Sequence, residues 1–161
     1  MNISIVIYSH GGNTLKLAEI ARDKLINDGH KVDLVRFDTT PALDTKNPVN
    51  ANQLKLVNLA SVQDADAVVI GGPVWAFRPV APLPLAIREL GGQLKGKPVL
   101  AFVTHSFPWA WLTGTSSVNT LRRLAADQGA KALPGVVLSG AGKQKQESYE
   151  AAAEQIRQAL K

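Results

Sequence analysis

The chain contains no cysteine, which removes disulfides, thiolate metal sites and cysteine nucleophiles together. Its three histidines, His10, His30 and His105, make no recognisable ligand set with nearby carboxylates, so no metal site is expected. No apolar run approaches the length that crosses a bilayer. A first strand beginning at Asn2 or Ile3 leaves no room for a basic leader and an apolar signal segment, and the expectation is a soluble cytoplasmic protein without a membrane partner. Concentrated basic charge is missing too. The 18 Lys and Arg against 13 Asp and Glu give +5, but they are scattered through every segment, which speaks for a solvated surface and against a nucleic-acid partner. No internal repeat, low-complexity stretch or shift of composition marks a boundary. With 45% hydrophobic residues, positions 1–161 are expected to form one domain with a substantial core.

What is present is organised around Tyr8-Ser9-His10-Gly11-Gly12-Asn13-Thr14, set between the apolar residues 3–7 and a helical pattern that begins at Leu15. A strand that breaks at paired glycines and restarts as a helix aims free backbone N–H groups at one point, where the helix dipole also favours negative charge. Gly11 and Gly12 let the backbone take positive φ and approach an anion without a Cβ, while Ser9, Asn13 and Thr14 add side-chain donors or cap the helix. A phosphate site and an ordinary capped turn both fit this stretch by itself. A nucleoside-triphosphate loop does not, because Asn13-Thr14 stands where Lys-Ser/Thr is needed, and the dinucleotide fingerprint lacks its third glycine.

Along the chain, residues 2–8 read as a buried strand, followed by a helix through Leu17, Ile20, Ala21 and Leu25 that stops at Gly29. Residues 31–37 form a second strand whose Asp33 and Arg36 suit a sheet edge. Residues 38–52 read as loop, with a short helix expected within 53–60. Residues 66–70 form a compact apolar strand ended by Gly71-Gly72-Pro73, and Pro82 and Pro84 open a helix through Leu83, Ile87 and Leu90. The fourth strand is 98–103, followed by a loop over 104–116, then a helix through Val118, Leu121, Leu124 and Ala125. Residues 132–138, with Pro134 and Gly135, suit the opposite edge, and a last helix carries Tyr149, Ala152, Ile156 and Leu160. Five strands alternating with five helices make an α/β fold with a parallel sheet covered on both faces. Ligands gather beyond the carboxyl ends of such strands, here three loops at 9–14, 72–82 and 104–116.

Those loops hold all three tryptophans. Pro73-Val74-Trp75-Ala76-Phe77-Arg78-Pro79 puts two aromatic rings and an arginine where a buried strand emerges, and Thr104-His105-Ser106-Phe107-Pro108-Trp109-Ala110-Trp111 repeats the theme. Packing alone would have placed some tryptophans inside helices or strands, so their clustering points to a wall for a flat ligand. A phosphate cradle beside an aromatic slot describes a planar ring joined to a phosphate.

With these motifs the chain resembles the flavodoxin family over nearly its whole length. That family's phosphate loop, Thr/Ser-x-Thr-Gly-Asn-Thr, is matched by Ser9, Gly12, Asn13 and Thr14, with Gly11 in place of a hydroxyl residue and one phosphate donor lost. Residues 64–75 look like the family's third strand and second flavin loop, and Ala76-Phe77-Arg78-Pro79 continues in the manner of flavodoxin-like reductases. The resemblance implies a three-layer sandwich with a five-stranded parallel sheet in the order 2-1-3-4-5, without the insertion that splits the fifth strand of long-chain flavodoxins. It implies flavin mononucleotide (FMN) as cofactor. Ser9, His10, Gly11, Gly12, Asn13 and Thr14 would surround its phosphate. Pro73, Val74, Trp75, Ala76 and Phe77 would approach the isoalloxazine, and Thr104, His105, Ser106 and Phe107 would meet its polar edge. For Trp109 and Trp111 the family gives no firm role; capping the ring and lining a substrate pocket are both open to them.

Electron-carrying flavodoxins are typically acidic, whereas this chain is basic. An arginine at an assumed distance of about 7 Å, with an effective dielectric near 20, would attract an anionic ring by roughly 2 kcal/mol. Arg78 is the candidate, and His105 a second candidate for a catalytic role. The expected function is two-electron transfer from NAD(P)H to a quinone or similar flat acceptor, or to a redox protein. A one-electron carrier and a non-catalytic ligand-binding domain are the alternatives.

Overall fold

The computed structural model describes residues 1–45, 49–107, 110–140 and 145–161, with the side chains at 110–112 outside the description. Strand β1 (Asn2–Ile7) is followed by helix α1 (Asn13–Asn27), then β2 (Lys31–Arg36), β3 (Asp38–Thr40), β4 (Lys55–Val57) and β5 (Ala67–Trp75). A short β6 (Arg78–Pro79) precedes α2 (Pro82–Leu90), β7 (Pro98–His105), α3 (Ala110–Asp127), β8 (Lys131–Ala132), β9 (Val136–Ser139) and α4 (Gln146–Ala159).

The central sheet is parallel in the order β2-β1-β5-β7, completed by β8 and β9, which both pair with β7. This is the flavodoxin-like 2-1-3-4-5 order, its fifth strand interrupted only at residues 133–135, where Pro134 withholds a ladder donor. Strand alternation divides the core between two faces. Ile3, Ile5 and Ile7 pack with Leu17, Leu25, Tyr149 and Ile156 of α1 and α4. On the other face Val6, Tyr8, Val68 and Ile70 meet Leu83 and Ile87 of α2 and Leu121 of α3. Each such fully buried aliphatic side chain contributes about 1.5–3 kcal/mol. β2 is the edge that Asp33 and Arg36 suggested, exposed at Lys31, Asp33 and Arg36. No described helix is long and apolar enough to cross a membrane.

Three expectations are corrected. No helix forms within 53–60; a 3-10 turn at Ala51–Gln53 leads into β4, which pairs antiparallel with β3. The described residues therefore hold four α-helices where five were expected. The reason is local: Leu56 is flanked by exposed Lys55 and Val57 and faces buried Thr39 across the pair, a period of two. The strand expected to end before Gly71 runs on to Trp75, because Gly71, Gly72 and Pro73 still pair with Phe102, Val103 and Thr104. Finally, α3 begins at Ala110, so residues 110–116 are helix rather than loop. Thr113 and Gly114 are buried there, and Gly114 is closely packed. A Cβ on Gly114 would lie 2.4 Å from Val137 and 2.8 Å from His105 Nε2.

Candidate functional site

Three loops meet beyond the carboxyl ends of β1, β5 and β7. They enclose a cavity of about 190 Å³ lined by His10, Gly11, Asn13 and Thr14 of the first, Pro73 to Trp75 of the second, and Thr104 to Ser106 of the third. Ten of the fifteen residues named from the sequence for the cofactor are thus brought together.

The first loop is built as an anion cradle. Gly12 is the N-cap of α1 at φ 86°, a conformation open to glycine, and supplies no side-chain cap. No acidic residue occupies the first turn, so the helix dipole is left uncompensated there. The side chains of Asn13 and Thr14, the first two helical residues, are engaged elsewhere. Thr14 Oγ1 lies 2.9 Å from Thr104 Oγ1 in a buried pair that ties the first loop to the third. The Tyr149 hydroxyl donates to Asn13 Oδ1 at 3.2 Å. Ser9 lies just behind the cavity, its Oγ accepting the Leu15 amide at 3.3 Å while its own proton stays available. At Gly11 a Cβ would meet nothing within 4 Å, so the missing hydroxyl residue is not a packing requirement.

The second loop is a hairpin rather than an open excursion. Trp75 pairs with Arg78 across a two-residue turn, and both turn residues are left-handed, Ala76 at φ 47° and Phe77 at φ 63°. Such turns are ordinarily Asn-Gly, and each non-glycine residue in this region costs roughly 1–2 kcal/mol. Strain of this kind gathers where a ligand is held. Trp75 is half-buried and meets the His10 ring edge-on, with centroids 5.1 Å apart. Phe77 is thrown outward and stacks on Phe107, centroids 5.7 Å apart, with 61% and 46% of their surfaces exposed. Phe77 therefore does not line the cavity as expected.

Val74, Trp75 and Ser106 are shared with an adjoining, more apolar cavity of about 480 Å³ that also holds Ala76, Arg78 and Phe107. Its far wall is Leu43, Asp44, Thr45 and Val49, from the segment expected to be loop. Arg78 is exposed and borders this second cavity, outside the phosphate cradle. Trp109 lies outside the described residues, and so does the side chain of Trp111.

The third loop turns on His105, which is buried, with Ser139 Oγ 3.3 Å from its Nε2. Its Nδ1 makes no hydrogen bond of acceptable geometry, although the Phe107 backbone lies close enough to oppose the fall in its pKa. The Phe107 carbonyl accepts from Gly140 N–H at 2.9 Å, a second tie between this loop and the end of β9. Burial pulls the His105 imidazole below the ordinary histidine range. The unfolded chain therefore takes up this proton at a higher pH than the folded one does. Its contribution to stability is complete above the ordinary value and is lost as the pH falls from there toward the depressed folded value. Urea midpoints measured between about pH 7.5 and 5.5, the range spanning the ordinary imidazole value, should fall more in the native protein than in His105→Gln. Equal falls would mean that His105 titrates alike in both states.

The sequence model of the NADPH-dependent FMN reductases matches residues 1–145. The chain belongs to the NADPH-dependent FMN reductase family. Among solved structures this family member is similar to a flavodoxin from the domain Archaea, with 15% identity, TM-score 0.70, 99% of this chain and 96% of that one covered. It is also similar to the Streptococcus pneumonia TIGR4 flavodoxin, with 20% identity, TM-score 0.67 and coverage of 99% and 97%. The Trp repressor binding protein from Bacillus subtilis aligns at 14% identity and TM-score 0.69, over 98% and 99%. At these identities the likeness concerns the fold. No curated protein sequence matches the chain.

The site of this FMN reductase family member fits the cofactor that its family is named for. The glycine cradle, at a helix end where Gly12 supplies no side-chain cap and the first turn holds no acidic group, suits a phosphate. The cavity at the helix end alone, at about 190 Å³, is too small for a whole flavin nucleotide, and its more apolar neighbour at Val74, Trp75 and Ser106 gives the ring room. Among the described residues no group of three His, Cys, Asp or Glu could hold a metal ion. The sequence reading missed Tyr149, Ser139, Leu43 and Val49. Tyr149 was read only as core, and nothing local ties Ser139 to a position 34 residues earlier.

Proposed function

We infer that the chain is an FMN-dependent oxidoreductase that passes two electrons from NAD(P)H to a quinone or similar flat acceptor, working in the cytoplasm without nucleic-acid or membrane partners. The observation that carries this reading is a pair of adjoining cavities that share Val74, Trp75 and Ser106 at one rim of the sheet, one of mixed lining at a helix N-terminus and one more apolar. FMN, when bound, supplies the hydride-accepting chemistry. The protein holds and orients it. Asn13, fixed by Tyr149, and Thr14, fixed by Thr104, are set before any ligand arrives, which lowers the entropic cost of binding. Leu43, Val49, Val74 and Trp75 keep the ring end apolar and exclude water from one side. The net charge of +5 and the exposed Arg78 favour an anionic donor, acceptor or reduced ring over the basic partners of acidic carriers.

The test is anaerobic mixing of the FMN-loaded protein with NADPH and with NADH. Bleaching of the oxidised flavin band by either is the expected result, and no bleaching by both would remove the reductase reading. In a dithionite titration the spectrum should pass from oxidised to reduced without a third species; a persistent third species would assign a one-electron carrier.

A further inference from the structure

The hairpin at 75–79 has a second side. Behind it, between Phe77, Arg78 and Pro79 and the helices α2 and α3, lies a groove of about 420 Å³ that shares only the hairpin with the apolar cavity. Three hydroxyl residues of α3, Ser116, Ser117 and Thr120, line it, and among the described residues no acidic one does. We propose that this groove is a second ligand site, taking the oxyanion group of the electron donor or acceptor whose flat part reaches the flavin rim. The proposal rests on the oxidoreductase reading above and names the substrate chemistry that goes with it.

Two independent observations carry it. Arg78 borders both the groove and the apolar cavity, and no ion pair or hydrogen bond engages it among the described residues. A guanidinium presents a planar fork of donors that matches phosphate, carboxylate or sulfonate. Placed on the wall between two cavities, it can hold an anion in one while the attached ring extends toward the other. Ser117 is the second observation. It is 1% exposed, and its Oγ is buried without a hydrogen-bond partner. A buried hydroxyl without a partner is uncommon and calls for a cause. Thr120, exposed on the same wall, donates to the Ser116 carbonyl at 3.0 Å, whereas the buried Ser117 makes no such bond. The shared chemistry is an oxyanion on a flat redox molecule. Its source is either the phosphates of a nicotinamide dinucleotide or an acidic substituent on an aromatic acceptor.

Calorimetry decides, and it needs no electron transfer. NADP⁺, anthraquinone-2-sulfonate and the neutral 2-(hydroxymethyl)anthraquinone are titrated into the FMN-loaded protein, into Arg78→Gln, and into Ser116→Trp, which fills the groove from an exposed position. At least one anionic probe should bind, and each variant should raise its Kd about tenfold, or about 1.4 kcal/mol. The neutral anthraquinone should change by less than about twofold in Arg78→Gln, because it has no charge to lose. A response of NADP⁺ alone assigns the groove to the donor, and of the sulfonate alone to the acceptor. The proposal is overturned if neither anion binds, if both variants leave the Kd unchanged, or if the neutral probe loses as much as the sulfonate. Should Ser116→Trp not fold, Arg78→Gln with the neutral control decides by itself. If the chain takes up no FMN, the preceding reading falls separately, and the same titrations of the flavin-free chain still decide on the groove.

Discussion

Asn13→Asp should lower the affinity for FMN by at least about 100-fold while leaving riboflavin, which has no phosphate, within about twofold. The substitution is nearly isosteric, and it keeps the acceptor that the Tyr149 hydroxyl uses at 3.2 Å. What changes is one negative charge at the first residue of α1, on the lining of the cavity at the helix end. At an assumed 5 to 6 Å from a phosphate, with an effective dielectric near 20, repulsion amounts to roughly 3 kcal/mol per unit charge. The folded protein itself should lose nothing, because a carboxylate at a helix N-terminus interacts favourably with the dipole. Affinity and stability are thus expected to move in opposite directions. Flavin fluorescence titrations with FMN and riboflavin check the first, and urea unfolding without flavin checks the second. If FMN and riboflavin weaken alike, the phosphate does not sit at the α1 terminus.

Gly71→Ala should destabilise the fold by about 3 kcal/mol, against the general preference for alanine over glycine inside a strand, which is worth about 0.5–1 kcal/mol the other way. Gly71 lies in β5 with Phe102 directly opposite on β7, and a Cβ there would fall 2.1 Å from two atoms of the Phe102 ring. The ring cannot swing away, because Phe102 is wholly buried within the cluster that α1 and α4 cover. Paired with Phe102→Leu, the alanine should cost less than it does alone, since the shorter side chain opens the contested space. The double-mutant cycle should give a coupling of about 1–3 kcal/mol. Urea denaturation of the four proteins measures it. A cost below about 1 kcal/mol for Gly71→Ala would mean that the sheet relaxes around the ring.

The two substitutions concern the same architecture at different levels. The ring of Phe102 packs over Gly71 on the paired strands β5 and β7, and the second and third loops leave from the ends of those strands. The buried pair Thr14 and Thr104 then joins the first loop to the third. A change in the core is therefore expected to reach the site through the positions of the strand ends.

By itself the sequence determined the alternating α/β pattern, the edge placement of β2, the glycine cradle before α1, and the rim at which all three loops meet. Those features are local: a strand announces itself by consecutive apolar residues, a helix by its period, a phosphate turn by its glycines. Only the tertiary structure decided the rest. The 53–60 segment became a strand because Leu56 found Thr39 across a pair that no local pattern predicts. Gly114, within the 104–116 segment expected to be loop, has its reason elsewhere in the chain, in Val137 and His105 pressing against it. Phe77 turned away from the cofactor cavity because the hairpin places it outward against Phe107, and Arg78 came to stand between two cavities for the same reason. Composition and period report what a residue does to its own neighbourhood; which side chain meets which across the sheet is fixed by packing among segments far apart in the chain.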